Sequence, residues 1–185
     1  MVRSFVAIEF PDSVRSEIAR LLERLPRLPG ITYVHPNRMH LTLRFLGDID
    51  DGQSVRLRQT LRDAATSLRP FEVRVQGVGA FPSLRRPSVL WVGLVASDAS
   101  LVQAQELSER AAQAIGLPAE TKAFHPHVTL ARVRDSRFAL EASDALHAER
   151  DFDAGAFVVS GMTLFHSRLT PHGPVYTPIE EFAFT

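Results

Sequence analysis

Apolar residues recur along the chain with two periods, and these predict strands and helices in a regular order. In the first half, "FVAIEF" at 5–10, "HLTLRFLG" at 40–47 and "FEVRVQGV" at 71–78 are rich in alternating, β-branched or aromatic residues, which predicts three strands. Apolar residues at helical spacing predict two amphipathic helices between them. The residues of these two stripes are Val14, Ile18, Leu21, Leu22 and Leu25, then Leu57, Leu61, Ala64, Ala65 and Leu68.

The second half of the chain repeats this order. Strands are predicted at 89–94, 127–133, 156–165 and 173–184, with a helix along the apolar stripe from Leu101 to Ile115 and a weaker helix over about 137–148. The repeat predicts an internal duplication with units of about 1–88 and 89–185.

Composition and charge narrow the class of protein. At 185 residues and 45% apolar content, the chain is long enough for one domain with a substantial core. Its 21 basic side chains equal its 21 acidic ones, so no overall field attracts a polyanion and any anion site must be local. The absence of cysteine excludes disulfides and thiolate metal sites. No apolar run has the length of a membrane span or a signal peptide, and we expect a cytoplasmic protein without a membrane partner.

Two copies of His-x-Thr-Leu carry the candidate chemistry. Along a strand, residues i and i+2 share a face, so His40 lies beside Thr42 and His127 beside Thr129. One such motif is weak evidence. Here His127 follows His40 by 87 residues, Thr129 follows Thr42 by the same number, and the two copies occupy the same place in the repeated unit. If a pseudo-two-fold axis relates the halves, both imidazoles and both hydroxyls face one cleft.

This set of groups suits displacement at phosphorus. A neutral imidazole can take a proton from the attacking water while a protonated one gives a proton to the leaving oxygen, and an ordinary imidazole pKa near 6.5 lets both forms coexist near neutral pH. Threonine hydroxyls can donate to phosphate oxygens, and a nearby arginine can balance developing charge. We therefore expect neither a metal nor another cofactor.

The segments "HLTLRFLG", "PHVTLAR" and "SRLTPHGPVY" resemble the two histidine motifs and the C-terminal signature of the two-histidine phosphoesterase superfamily. Within it, the chain is most similar to RNA 2′,3′-cyclic phosphodiesterases, also called 2′-5′ RNA ligases. The resemblance implies an α+β fold with two lobes, each an antiparallel sheet backed by helices, and an active-site groove between them. Strands are expected to be exchanged between the lobes.

The resemblance also implies an activity and roles. The family opens 2′,3′-cyclic phosphates at RNA ends to 2′-phosphates and has a weak reverse ligation, so RNA ends or related cyclic nucleotides are the expected partners, and no obligate protein partner is evident. It implies that His127 is the base for water, that His40 donates a proton to O3′, and that Thr42 and Thr129 hold the phosphate. The residues themselves leave the order of the histidine roles open, because the two motifs are near copies.

Several residues near the motifs are candidates for contacts with the substrate. Arg44 is predicted on the face of His40 and Thr42, whereas Arg132 falls off the His127 face in a regular strand and enters through the resemblance. His125 is expected beside the site, at the irregular start of its strand. Further candidates for the RNA backbone are basic residues in loops, namely Arg168, Arg85 and Arg86.

Aromatic residues that could stack on a base are harder to rank. Phe45 is predicted on the apolar face and therefore in the core. The remaining candidates are Phe124, Phe81, Tyr33 and Tyr176. The other histidines are expected to be surface or structural residues, namely His35, His147, His166 and His172.

Two other interpretations remain open. One is a module that binds RNA ends or nucleotide phosphate without turnover, although binding alone has little use for two matched imidazoles. The other is a metal-dependent phosphohydrolase built on the His125-x-His127 pair, although acidic residues that follow, such as Asp135, show no recognisable ligand spacing.

Overall fold

The computed structural model describes residues 1–171 and 173–185; His172, expected to be surface or structural, lies outside them. The described residues form nine strands, four α-helices and two short 3₁₀ helices, the latter at Pro36–Arg38 and Ser136–Phe138. The strands and α-helices in chain order are β1 (Val2–Glu9), α1 (Asp12–Arg24), β2 (Ile31–Tyr33), β3 (His40–Ile49), α2 (Asp51–Ala65), β4 (Phe71–Phe81), β5 (Val89–Ala96), α3 (Ser100–Ala114), β6 (His127–Val133), α4 (Ala139–Ala148), β7 (Asp153–Val159), β8 (Gly161–Thr170) and β9 (Gly173–Ala183).

The strands form two sheets in which neighbouring strands are antiparallel. One sheet has four strands in the order β3-β1-β8-β9, and the other has five in the order β2-β6-β5-β4-β7. Helices α2 and α3 pack against the four-stranded sheet, while α1 and α4 pack against strands of the five-stranded sheet. The predicted α+β class, with two antiparallel sheets backed by helices, is confirmed. Each sheet contains strands from both halves of the chain, and the duplication itself stays a prediction.

The helices form where the sequence offers an apolar stripe and a start signal. The stripe of α1 is buried at Val14, Ile18, Leu21 and Leu22. Helix α2 begins with a reciprocal cap, because the Asp50 carboxylate accepts from the Gln53 backbone N–H and the Gln53 side chain accepts from that of Asp50. Among the described residues, no helix is long and apolar enough to span a bilayer.

The predicted single strand at 156–165 is wrong. The chain breaks at Ser160, so β7 joins the five-stranded sheet and β8 joins the four-stranded one. At the break, the Ser160 carbonyl accepts from the Phe184 backbone N–H at 2.8 Å. A Cβ at Gly161 would lie 2.7 Å from the Phe182 carbonyl oxygen, so this crossing requires glycine. The sequence did offer a signal at this break, because Ser160-Gly161 is a turn-forming pair that the prediction of one strand passed over. The three-residue strand β2 was also not predicted.

One hydrophobic core runs between the sheets and helices, and a smaller cluster lies on the opposite face of the four-stranded sheet. Strand β1 contributes to both, because alternate residues point to opposite faces. Val6 and Ile8 enter the main core, whereas Phe5 and Ala7 join Phe165 in the small cluster. This second cluster supports the candidate site described next.

Candidate active site

A groove lined by strands of both sheets contains the four residues of the paired motifs. Strands β3 and β6 each begin with a histidine, and alternation puts the threonine two residues later on the same face. The side chains of His40, Thr42, His127 and Thr129 all line this groove, which has a volume of about 870 Å³. The structure thus brings together the residues that the sequence predicts to act as a unit.

A β-bulge at the last residue of each motif redirects the side chains that follow. In β3, the residues on either side of Leu43 pair with consecutive residues of β1, so Leu43 has no partner. In β6, Leu130 is bypassed in the same way by β5. The extra residue shifts the alternation by one position. As a result, Phe45 and Arg132 face the groove at corresponding places in the two strands.

These bulges overturn three expectations about side-chain direction. The prediction that Arg44 shares the groove face is wrong: it is 8% exposed, and its Nε lies 2.6 Å from Oε2 of Glu109 on α3. The prediction that Phe45 is in the core is also wrong, because it is 43% exposed and lines the groove. The expectation that Arg132 points off the His127 face holds for a regular strand, and the bulge reverses it.

Each motif histidine is held by the backbone two residues before it. The carbonyl of Arg38 lies 2.9 Å from Nδ1 of His40, and that of His125 lies 2.6 Å from Nδ1 of His127. A carbonyl can only accept, so Nδ1 carries the hydrogen in both rings. In the neutral ring this leaves Nε2 as the nitrogen that can take up a proton.

The environment of His40 is aromatic and partly buried. Its ring stacks on Phe5 with centroids 4.7 Å apart and meets the edge of Tyr176 at 5.1 Å. Burial lowers the pKa of His40 to about 4, against the opposing effect of its hydrogen bond to the Arg38 carbonyl, and the charge of Arg15 lowers it further. In the free protein at neutral pH, His40 is therefore uncharged.

His127 has a similar but more open setting. Phe81 meets its ring edge-on at 4.9 Å, and Trp91 lies 6.4 Å away. Burial lowers the pKa of His127, the bond to the His125 carbonyl opposes this, and the charges of His125 and Arg132 lower it further. Both imidazoles thus favour the neutral form until an anion enters the groove.

The groove carries a local positive charge in a chain with no net charge. Arg3, Arg38, Arg132 and Arg134 line it, and no Asp or Glu is among the described residues that do so. The Arg3 guanidinium carbon lies 4.9 Å from the ring centroid of Phe45, which is a cation–π distance. Guanidinium groups suit phosphate, because their planar forks match two of its oxygens.

The other predicted contact residues are divided between the groove and its surroundings. Tyr176 lines the groove with Arg132. His125 is exposed and its ring lies 5.9 Å from that of Phe81, which places it beside the His127 end of the site. Phe124 packs against the main core, and Arg168 is exposed outside the groove lining.

Of the lower-ranked residues, Tyr33 lines the groove and its hydroxyl donates to the Pro26 carbonyl at 2.9 Å. Phe81 contacts the His127 ring edge-on and is not among the residues that line the groove. The remaining residues, Arg85, Arg86, His35, His147 and His166, are not among those that line the groove.

The sequence did not single out several groove residues. Arg3 lies two residues before Phe5 in β1, so strand-face spacing offered a signal for it, whereas Arg38 lies in a 3₁₀ helix before β3 and offered no signal of this kind. Arg134 offered none, because its place in the groove depends on the bulge and on the pairing of β2 with β6. Thr32 and Ser167 come from strands that meet the groove only in the folded chain.

The metal interpretation needs further ligands near His125 and His127. Residues 1–171 and 173–185 contain no group of three or more His, Asp or Glu side chains placed to hold a metal ion. The Nδ1 atom of His127 is already bonded to the His125 carbonyl. The described residues thus offer no third protein ligand at this pair.

A basic groove with paired imidazoles between two antiparallel sheets is the arrangement of a two-histidine phosphoesterase. The model of the family described as "LigT like Phosphoesterase" matches this chain twice, at residues 8–91 and 92–176. The chain belongs to this family.

Relatives with similar sequences and folds cover nearly the whole chain. The RNA 2′,3′-cyclic phosphodiesterase of Methanothermobacter thermautotrophicus is 30% identical over 98% of each chain, and that of Aquifex aeolicus is 32% identical over 98% of this chain and 97% of its own. The crystal structure of TT0787 from Thermus thermophilus superposes with a TM-score of 0.82 at 28% identity, covering 98% of this chain and 97% of its own. That of Escherichia coli LigT with 3′-AMP has a TM-score of 0.79 at 25% identity, covering 100% and 98%.

Proposed function

We propose that this protein hydrolyses 2′,3′-cyclic phosphate ends of RNA to 2′-phosphates without a metal ion. The observation that carries the proposal is the pair of imidazoles, His40 and His127, each held through Nδ1 and each lining one basic groove. The named activity of the relatives and the 3′-AMP in the LigT crystal support an RNA end as the substrate.

In this mechanism, water attacks phosphorus opposite O3′. Nε2 of His127 takes the proton from water as the new P–O bond forms, and protonated Nε2 of His40 gives a proton to O3′ as the P–O3′ bond breaks. The products are a 2′-phosphate and a free 3′-hydroxyl. This order of roles is the one that the family resemblance implies.

The phosphate itself is held by neutral donors and a cation. The hydroxyls of Thr42 and Thr129 donate to its non-bridging oxygens, and the Arg132 guanidinium balances the charge that grows on them in the transition state. These groups are fixed by two strands before the substrate arrives, which avoids much of the reorganisation that water would need.

His40 must gain a proton before it can act as the acid. Its pKa of about 4 in the free protein means that it is seldom charged at pH 7. A phosphate anion close to Nε2 favours the imidazolium and raises this pKa. Binding of the anionic end therefore supplies the condition for the acid role of His40, and the mechanism requires that the pair shares a single proton, so that His127 is neutral as the base.

Ligation, the weak second activity, uses the same groups in the same roles: His127 takes the proton from the attacking hydroxyl and His40 gives a proton to O3′. A 5′-hydroxyl in the place of water would attack a cyclic phosphate and give a 2′-5′ linkage. Water competes at high concentration, so ligation is weak unless the two ends are held together.

Chelation and product analysis test the proposal. Purified protein in excess EDTA is incubated with an RNA oligonucleotide that ends in a 2′,3′-cyclic phosphate. We expect undiminished turnover to the 2′-phosphate, because no step needs a metal. Loss of activity that added divalent metal restores would indicate a metallophosphohydrolase, and binding without turnover would indicate a phosphate-binding module; either result contradicts the proposal.

The pH dependence of kcat/KM follows from the lowered pKa values of both histidines. Turnover needs one proton shared by the pair, and above pH 6.5 the free protein loses that proton. We therefore expect a bell-shaped profile with its maximum below pH 6.5, and a fall that approaches about tenfold per pH unit on the alkaline side. At saturating substrate, kcat should peak at a higher pH, since bound phosphate favours the charged form. A kcat/KM maximum above pH 7 would contradict this expectation.

A further inference from the structure

A buried guanidinium links the strand of His40 to the segment that leads into the strand of His127. Arg44 points to the core side of β3 because of the bulge at Leu43, and it is 8% exposed. Its Nη2 donates to the Pro118 carbonyl at 2.6 Å. Its other polar contacts are Nη1 to the Phe45 carbonyl at 2.9 Å, Nε to Glu109 Oε2 at 2.6 Å and Nη1 to Glu120 Oε2 at 3.6 Å.

Residues 115–126 form a crossover segment between the two sheets. This segment leaves α3, which packs on the four-stranded sheet, and enters β6 in the five-stranded sheet. Near its start, the Glu120 backbone N–H donates to Glu109 Oε1 at 3.0 Å, so Glu109 joins the segment to Arg44. Near its end lies His125, whose carbonyl accepts from Nδ1 of His127. One end of the segment is thus tied to β3, and the other end orients a motif histidine.

In the described part of the chain, no backbone hydrogen bonds between their strands set the spacing of the two histidines, although β3 and β6 pack against each other. Among the described strands, β3 pairs with β1 while β6 pairs with β2 and β5, so no backbone ladder joins the two histidine strands. Their separation is set by packing and by bonds that cross from one sheet to the other. Within the second motif strand, the residue at the corresponding place after the bulge is Ala131, which is buried and carries no charge.

A buried ion cluster contributes little net stability, because desolvation of the charges offsets much of their attraction. An apolar pair of similar volume often stabilises a core equally well. The guanidinium of Arg44 nevertheless contacts three parts of the chain: it donates hydrogen bonds to the Phe45 carbonyl of the strand itself and to the Pro118 carbonyl of the crossover segment, and it forms an ion pair with Glu109 of helix α3. Hydrogen bonds and ion pairs of this kind restrict the distance and orientation of the crossover segment relative to β3 more than apolar contacts would.

We infer that Arg44 is a positioning residue, which fixes the crossover segment against β3 and thereby sets His127 at its working distance from His40. The inference rests on the proposed function, since a working distance has meaning only if the two imidazoles act on one phosphorus. Misplacement of a catalytic group by about 1 Å can cost about 10²-fold in rate.

The test removes the link while avoiding an unpaired buried charge. In the double variant R44M/E109M we expect a cooperatively folded protein whose kcat is about 10- to 100-fold lower, with KM changed much less. R44K keeps the charge but loses the fork, so we expect an intermediate kcat. The matched control is R24M/E149M, which removes a bidentate pair with distances of 2.9 and 2.7 Å that lies away from the groove, and its kcat should equal that of the wild type.

A second measurement separates positioning from stability and does not depend on activity. Imidazole NMR signals of His127 should shift in R44M/E109M at a pH where the fold is intact, whereas the exposed His147 signals should not. If the double variant fails to fold, R44K takes its place, and we expect a smaller shift of the His127 signals together with the intermediate kcat. Wild-type kcat and unshifted His127 signals in the folded variant would overturn the inference. An inactive wild type would instead overturn the proposed function, which keeps the two failures distinct.

Discussion

Replacing either motif histidine by asparagine is expected to lower kcat about 10²- to 10⁴-fold, the usual contribution of a positioned acid or base. Asparagine keeps a side-chain N–H that can donate to the carbonyl of Arg38 or His125, but it has no nitrogen that titrates in this range. The loss therefore reports proton transfer more than misfolding. Single-turnover rates at saturating cyclic-phosphate RNA measure it directly.

The double variant H40N/H127N sharpens this result. Because the two imidazoles act on one reaction step, the second substitution should add far less than the first, and the combined loss should stay well below the product of the single losses. The control is H147N, in which an exposed histidine on α4 is changed and kcat should not move. A double variant with nearly wild-type kcat would refute the assignment of both residues.

Replacing Arg132 by methionine is expected to lower kcat/KM about 10²- to 10³-fold, comparable to removal of one group that stabilises an oxyanion. The bulge at Leu130 turns this guanidinium into the groove, where it shares the lining with Thr129 and His127. Lysine at this position should restore part of the loss, since it supplies charge without the planar fork. Steady-state kinetics on the same RNA end measure all three proteins.

The matched control for Arg132 is R110M. Arg110 is exposed on α3, where it lies 3.9 Å from Glu106 one helical turn away, and methionine is a good helix former. We expect this variant to keep wild-type kcat/KM. If R132M retained wild-type kcat/KM as well, the phosphate would have to be held by other groups, and Arg132 would have no part in the transition state.

Local pattern predicted the secondary structure well where one period dominates. The stripe of Val14, Ile18, Leu21 and Leu22 predicted α1, and the alternation in "HLTL" predicted both the strand β3 and the shared face of His40 and Thr42. The proposed chemistry of the pair was likewise inferred from residue types, since two imidazoles, each beside a hydroxyl, suit displacement at phosphorus, and it stays a prediction.

Pattern failed where a single residue changes the register. One extra residue at Leu43 reverses the faces of Arg44 and Phe45, and no feature of the sequence "HLTLRFLG" announces it. At the break, the turn-forming pair Ser160-Gly161 was a signal that the prediction passed over, but it could not show that the chain passes there from one sheet to the other. The position of a bulge or a break depends on the neighbouring strand with which a segment pairs, and this pairing joins residues that are far apart in the chain.

The lowered pKa values also lay beyond the sequence. Nothing in "HPHVTLAR" or "HLTLRFLG" indicates a lowered pKa. Burial is the main cause that lowers the pKa of His40 to about 4, and the aromatic rings that contact its imidazole include Phe5 of β1 and Tyr176 of β9. Burial depends on every neighbour at once, so it cannot be assigned to a motif.

The sequence by itself determined which groups are the candidates for the proposed chemistry, because side-chain type and a spacing of two along a strand are local properties that survive in any fold of this class. The tertiary structure alone decided where those groups meet. Two sheets with no shared ladder must be brought to a fixed distance by packing and by contacts such as those of Arg44, and the bulges then decide which side chains enter the groove. Distances between residues far apart in the chain are set by the sum of many contacts, which no short segment encodes.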